Sequence, residues 1–278
     1  PVPYNTSSVY ADFAIMKNKW ETSWIGLGGA FWRDVAGNGN LSLNKFQTNL
    51  SYHVMLNDKS TLSGGLGIGK SQRAIDISKL TFDAQWNEFT FDRSLSNREN
   101  IGRNQTDFWD MSAGINFSNY NQENLAYKIS LAAMHINRPL ESFYGESNRM
   151  GVRPIANVEV IYKASNMMII TPSIYYTSQK KASELIFGSL FNLNVSGSKE
   201  MTLNPNEFIM GVHYRYKDAA IGTMGYRWNK YQLMMSYDHT LSKLNIANKG
   251  IGAFEFSFMA NGNFEKNSDT KMYSCPRF

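Results

Sequence analysis

The sequence predicts an all-β protein, a transmembrane antiparallel β-barrel with about thirteen strands visible and about fourteen in the intact molecule. Three observations carry that prediction. From Asp107 to Ser118 the chain reads DFWDMSAGINFS, with Trp109, Met111, Ala113, Ile115 and Phe117 alternating against Asp110, Ser112, Gly114, Asn116 and Ser118. The same rhythm returns in segments of about ten residues along nearly the whole chain, which gives each strand one apolar and one polar face. Second, charges keep to one face of each clear strand, while long apolar stripes such as Val152 to Tyr162 or Phe254, Phe256 and Phe258 run along the other. No helices are predicted that would cover those stripes, so lipid is their natural cover. Third, aromatic residues reach 14%, enough for girdles at two membrane interfaces. A Tyr-rich soluble β-sandwich would also alternate and is the competing reading.

Composition narrows the class further. Hydrophobic residues make up 42%, yet mean hydropathy is −0.38. No stretch approaches the ~18 consecutive apolar residues of a helical span. The net charge of +5 is scattered, so the basic stripe of a nucleic-acid binder is missing and no nucleic-acid partner is expected. The single Cys275 excludes an internal disulfide framework and a Cys-based zinc site within the chain. No signal peptide opens the chain, and PVPYNT reads as an extended segment entering a strand, so the sequence is expected to start after processing or later still.

The elements follow in order. Val9 to Met16 alternates and NKWET is the first turn; Ser23 to Arg33 is a glycine-rich strand, and RDVAGNGN is a loop. Phe46, Thr48, Leu50, Tyr52 and Val54 share a face opposite Gln47, Asn49, Ser51 and His53, and LNDKS turns into Leu62, Gly64, Leu66 and Ile68. Lys70 to Asn104 breaks the rhythm, and a loop this long in a compact domain is usually functional. The Asp107 strand reaches the turn NYNQEN, Tyr127 to Ile136 returns, and HINRPLESFYGESNR is a second long loop. Strands are then predicted over Met150–Lys163, around Ile170, around Phe187, around Val212, up to Arg227, around Met235 and around Phe256. The connection from Val195 to Asn206 is longer than a periplasmic turn. Bacterial single-chain barrels usually have even strand numbers, so one further strand is expected before Pro1. The barrel is expected over residues 1–260 and a C-terminal periplasmic tail over 261–278.

Some motifs suggest other chemistry. Gly64 to Ser71, GGLGIGKS, matches the phosphate-loop pattern G-x-x-x-x-G-K-[ST], but that chemistry needs a strand before it and a helix after it. Here it lies within an alternating strand, which favours a glycine-lined wall with room for neighbouring side chains. His53, His135, His213 and His239 lack metal-site spacing. Asp238, His239 and Ser242 lie close in sequence, but a triad is recognised by geometry, and polar rim histidines are the simpler reading. No cofactor, metal or catalytic residue is therefore expected.

Eight stretches stand out: LSYHVMLNDKSTLSGGLGIG; IDISKLTFDAQWN with Asp76, Leu80, Phe82 and Gln85; FWDMSAGINF; AAMHINRPLESF with His135, Asn137, Arg138 and Pro139; YRYKDAAIG; SYDHTLSKL; GAFEFSF; and the terminal CPRF. Together they resemble the PorP/SprF family of outer-membrane proteins of the type IX secretion and gliding machinery. They run in order from about Ser7 to the C-terminus. Members usually begin with an Asn-Pro-rich extended segment and a strand ending in an Arg-x-Gln-Trp-like motif. Neither occurs before Ser7, and Cys275 is a candidate to pair with a cysteine of that segment. The resemblance implies a non-catalytic barrel in the bacterial outer membrane, working with periplasmic ring and lipoprotein components of the machinery. It also implies a part in secreting or anchoring a large adhesin that carries a C-terminal signal domain.

The leading expectation is thus a lipid-embedded, partner-binding barrel. Its expected contacts are the loops Lys70–Asn104 and Arg138–Arg149, with Leu80, Phe82, Trp86, Phe89, Phe91, Arg138, Phe143 and Tyr144 as candidate contact residues. Arg153, Glu159, Arg215 and Glu255 are candidate lumen residues that could pair and narrow the interior. The alternatives are a passive porin or hydrophobic-solute transporter, and an outer-membrane hydrolase using His239 or His135.

Overall fold

A computed structural model describes residues 4–16, 22–99, 103–122, 124–145, 147–196 and 206–262. Residues 18–21 of the expected first turn NKWET, most of the 195–206 connection, and the tail from residue 263 with Cys275 lie outside the described residues. The described residues form thirteen strands: β1 (Asn5–Ile15), β2 (Ser23–Ala36), β3 (Leu41–Asn57), β4 (Ser60–Ala74), β5 (Gln105–Gln122), β6 (Leu125–Met134), β7 (Arg153–Lys163), β8 (Met168–Gln179), β9 (Ala182–Asn194), β10 (Glu207–Arg215), β11 (Ala219–Trp228), β12 (Tyr231–Thr240) and β13 (Ile251–Ala260). They form one sheet in chain order, with β1 and β13 as its edges among the described residues. The described helical pieces are 3-10 turns at Ile77–Lys79 and Asp83–Gln85 and one α-turn at Asn245–Asn248.

The number of strands agrees with the alternation, but several ends differ. The break expected at Lys70 comes after Ala74, RDVAGNGN is strand as far as Ala36, and β7 begins at Arg153 rather than Met150. The cause is physical. Period-two hydrophobicity marks only the part of a strand whose outer face needs apolar side chains; beyond it, pairing continues with polar residues such as Gln72 and Arg73.

Packing groups the chain into two units: Pro1–Val54, Ser63–Ile115 and Ala132–Pro154 in the first; Met55–Leu62, Asn116–Leu131 and Ile155–Phe278 in the second. In the second unit the antiparallel registers assemble apolar rows. Leu193, Phe208, Tyr226, Leu233 and Phe258 are successive cross-strand partners, as are Phe191, Met210, Met224, Met235 and Phe256. Two rows further, Ile174, Phe187 and Tyr214 align. Many of these side chains are exposed, among them Phe187, Met210, Met224, Phe256 and Phe258. In the first unit Val9, Phe31 and Phe46 form one such row, and Phe13, Leu27 and Leu50 another.

The other face is polar. Buried residues include Gln47, Ser63, Ser71, Asp110, Asn194, Glu207 and Asp238. A soluble sandwich would bury its Phe and Leu and wet its charges. Here the arrangement is reversed, as in the wall of a membrane barrel, where a charge on the lipid face near the midplane costs roughly 2–4 kcal/mol.

Candidate functional site

In the second unit the interior charges are paired across several strands. Glu207 on β10 is almost fully buried and accepts Arg227 Nη1 at 2.9 Å and Asn192 Nδ2 at 2.8 Å. Arg227 also donates to Gln232 Oε1 from Nε and Nη2 at 3.0 and 2.8 Å. Arg215 is a second hub, with Asp238 at 2.8 Å, Glu184 at 3.1 Å and Asp218 at 3.3 Å. Glu159 pairs with Lys128 at 2.9 Å. Of the expected lumen residues, Glu159 and Arg215 therefore sit in ion pairs whose partners were not foreseen. Glu255 lies opposite Ser236 on the edge strand and is exposed. Arg153 opens β7 at the head of the polar side of that strand.

The first unit carries the loops. At its centre Asp110 accepts Lys45 Nζ from β3 and faces His135 Nδ1, each at 2.8 Å, with the Asp110 side chain only 3% exposed. Lys45 also lies 5.8 Å from the centre of the Trp32 ring. His135 and Arg138 adopt positive φ, so the chain turns sharply out of β6. Asn137 then acts as a strand substitute: its Oδ1 accepts the Met111 N–H at 3.1 Å and its Nδ2 donates to the Trp109 carbonyl at 2.7 Å. Pro139 accepts from Met150 N–H, Leu140 bridges Arg149, and Glu141 reaches Arg73 Nε at 2.8 Å. The loop 135–150 is thus tied to β5 and β4 at several points. Arg138 contributes its carbonyl to Arg149 Nη1, Phe143 is half-buried, and Tyr144 is exposed.

The longer loop, 75–104, is held differently. Its entry is fixed where Asp76 N–H donates to the Gly39 carbonyl, and Leu80 and Ile75 cover Gly39 so closely that a Cβ there would sit 2.8 Å from Leu80 Cδ2. Ser78 donates to Asp76, and this bond chiefly holds the Asp76 carboxyl below its ordinary pKa. Gln85 is the buried keystone: Oε1 accepts the Phe82 N–H, Nε2 donates to the Leu95 carbonyl, and its own carbonyl accepts the Asp92 N–H. Beyond it a small hairpin closes through the Trp86–Phe91 bridge, with Asn87 Oδ1 accepting the Phe89 and Thr90 N–H groups and Glu88 at φ +75°. Trp86 and Phe91 meet edge to face at 5.0 Å, and Phe89 is 87% exposed at the tip.

The eight expected contact residues therefore divide. Trp86, Phe89, Phe91 and Tyr144 are presented outward; Leu80, Phe82 and Phe143 are half-buried and serve the packing of their loops; Arg138 is exposed at the sharp turn. The structural parts of Gln85 and Asn137 were not foreseen.

The motifs with other chemistry resolve locally. GGLGIGKS lies inside β4, with Gly67, Gly69 and Ser71 buried and Leu66, Ile68 and Lys70 exposed. A Cβ on Gly67 would collide with Gln47, Asn49 and Ser112, so the glycine makes room for these side chains and no helix follows to cradle phosphate. Both ring nitrogens of His53 face hydroxyls, Ser51 at 2.9 Å and Ser63 at 2.8 Å, while the ring stacks on Trp24. Asp238 is buried against Arg215 whereas His239 is exposed, so that pair does not converge.

In each unit a polar, ion-paired face backs a largely apolar one on an antiparallel meander, which defines a membrane protein of the β-barrel class. A family model for the type IX secretion system membrane protein PorP/SprF matches residues 2–259. The chain belongs to the PorP/SprF family. Among solved structures, the toluene transporter TbuX of Ralstonia pickettii aligns at TM-score 0.49 and 8% identity, covering 84% of this chain and 75% of that one. No match is found among the curated proteins.

Proposed function

We propose that this type IX secretion membrane protein is a non-catalytic outer-membrane barrel that takes part in secreting or anchoring a large adhesin. In this reading it recognises the adhesin's C-terminal signal domain with its long loops and contacts ring and lipoprotein components from the periplasmic side. The observation that carries the docking role is the braced hairpin Trp86–Phe91. Exposed aromatic side chains on a preorganised backbone lose little conformational entropy on binding, and Trp in particular is enriched at binding hot spots. Pairing of the interior charges supports a filled wall rather than an open pore.

The test replaces Trp86, Phe89 and Phe91 together by Ser in the native host and compares the surface proteins of intact cells. The variant is expected to fractionate with the outer membrane, keep its heat-dependent gel mobility, and lose a signal-domain adhesin from the surface. An unchanged surface proteome would remove the docking role from this hairpin. Steady conductance of the purified protein in planar bilayers would instead favour a passive channel.

A further inference from the structure

The turn between β11 and β12 places a cation beside a cluster of aromatic rings at one margin of the apolar face. Trp228 ends β11 and Tyr231 begins β12, and the two are cross-strand partners. Their rings lie 5.9 Å apart, and each approaches Phe258 of β13, at 6.4 and 5.9 Å. Tyr226 stacks on Trp228 from below at 6.2 Å. Lys230 in the turn is exposed, its Nζ 5.3 Å from the Tyr231 ring centre, and among the described residues no carboxylate pairs with it. At the opposite margin Lys217 lies 5.1 Å over Tyr216, in the turn between β10 and β11.

Between these margins the outer positions of β10, β11 and β12 hold no charge. β11, which joins them, has ten residues. At about 3.3 Å per residue and a barrel tilt near 40°, it spans roughly 23 Å along the membrane normal, against about 25 Å for the apolar band of outer-membrane barrels. The two aromatic–lysine pairs therefore stand at the two headgroup levels, where amphipathic rings settle and lysine ammonium groups reach the polar layer.

We infer that Lys230, Trp228 and Tyr231 form a site for the phosphate of a glycerophospholipid, with an acyl chain lying over Tyr226, Phe258 and Phe256. The Lys230 ammonium supplies the charge for the phosphate diester, the Trp228 indole N–H and the Tyr231 hydroxyl offer neutral donors at the same level, and the rings below supply the apolar floor. The β11–β12 turn lies at the end of the second unit that also carries the short turns at Asp58–Lys59 and Ala164–Met167, the end expected to face the periplasm. The lipid is thus one of the periplasmic leaflet. This leaflet assignment rests on the outer-membrane reading above; the lipid contact needs only a bilayer.

The test uses the full chain in phosphatidylcholine nanodiscs containing a minor share of phosphatidylglycerol, released into the gas phase and weighed by native mass spectrometry. The unaltered protein is expected to retain a phosphatidylglycerol that Lys230→Ala holds roughly tenfold more weakly, that Lys230→Arg restores, and that Lys217→Ala leaves in place. Retention that inorganic phosphate does not displace assigns the ligand to the lipid, while displacement by inorganic phosphate would overturn the lipid assignment. Equal retention by Lys230→Ala, with the protein folded and inserted, would overturn the site and leave the outer-membrane reading standing. A protein that stays outside the bilayer would overturn both.

Discussion

The loops 75–104 and 135–150 both belong to the first unit, yet they are built on opposite plans. The shorter loop is fastened to its neighbours: Asn137 pairs with the β5 backbone, His135 with Asp110, and Glu141 with Arg73. Beyond its anchor at Gly39, the longer loop is fastened mostly to itself, through Gln85, Asn87 and Asp92. A loop tied to the wall shares the wall's stability and cannot change without disturbing it. A loop tied to itself can vary at its tip while the wall stays intact, which suits a surface that must match a partner.

This contrast can be broken by mutation. The largest effect is expected for Asp110→Ala, which leaves the nearly buried Lys45 and His135 without their acceptor and should cost about 3 kcal/mol. The measurement is the urea midpoint of the purified protein in lipid vesicles, followed by tryptophan fluorescence; an unchanged midpoint would dissolve the distinction between the loops. Asn137→Leu removes one donor and one acceptor from the β5 backbone and should cost about 2 kcal/mol, with faster proteolytic cleavage inside 135–150. Gln85→Ala should act differently: cleavage within 75–104 accelerates, as expected for about 1–2 kcal/mol lost locally, while the global urea midpoint stays put. A lowered midpoint in that variant would show that the longer loop also supports the wall. The smallest effect on stability is expected for Phe89→Ser, within about 0.5 kcal/mol, because the ring touches mostly solvent; its consequence should appear in partner recognition alone.

Much of the fold was legible because lipid imposes a period of two on every strand it touches. The alternation at Trp109, Met111 and Ile115 located β5, and the Phe254–Phe258 stripe located β13. Strand ends were illegible for the same reason, since Gln72 and Arg73 continue β4 where the apolar constraint on the outer face has ended. Charge placement was legible face by face but not pair by pair. Arg215 draws its partners from β9, β12 and the turn after β10, and no local spacing announces Glu184 or Asp238. Exposed aromatics in the long loop could be proposed from composition, but Leu80 and Trp86 look alike in a segment without periodicity. Only the closeness of Gly39 shows that Leu80 turns inward. Gln85 and Asn137 lie in the family-like stretches IDISKLTFDAQWN and AAMHINRPLESF, yet their roles depend on backbone groups of Leu95, Trp109 and Met111, which any residue type supplies.

The ladder from Asn192 through Glu207 and Arg227 to Gln232 has a consequence for how the wall is assembled. Antiparallel hydrogen bonding alone tolerates a slip of one residue, because backbone groups are the same at every position. Such a slip would turn Glu207 and Arg227 toward hydrocarbon and Phe208 and Tyr226 toward the polar interior. Next to the margin marked by Trp228, a stranded arginine adds only about 0–1 kcal/mol. The larger penalty for a slip is the loss of the buried Glu207–Arg227 pair, about 3 kcal/mol, so a misaligned hairpin is disfavoured. The buried ions thus act as proofreading marks during insertion, selecting one alignment from many that the backbone would accept.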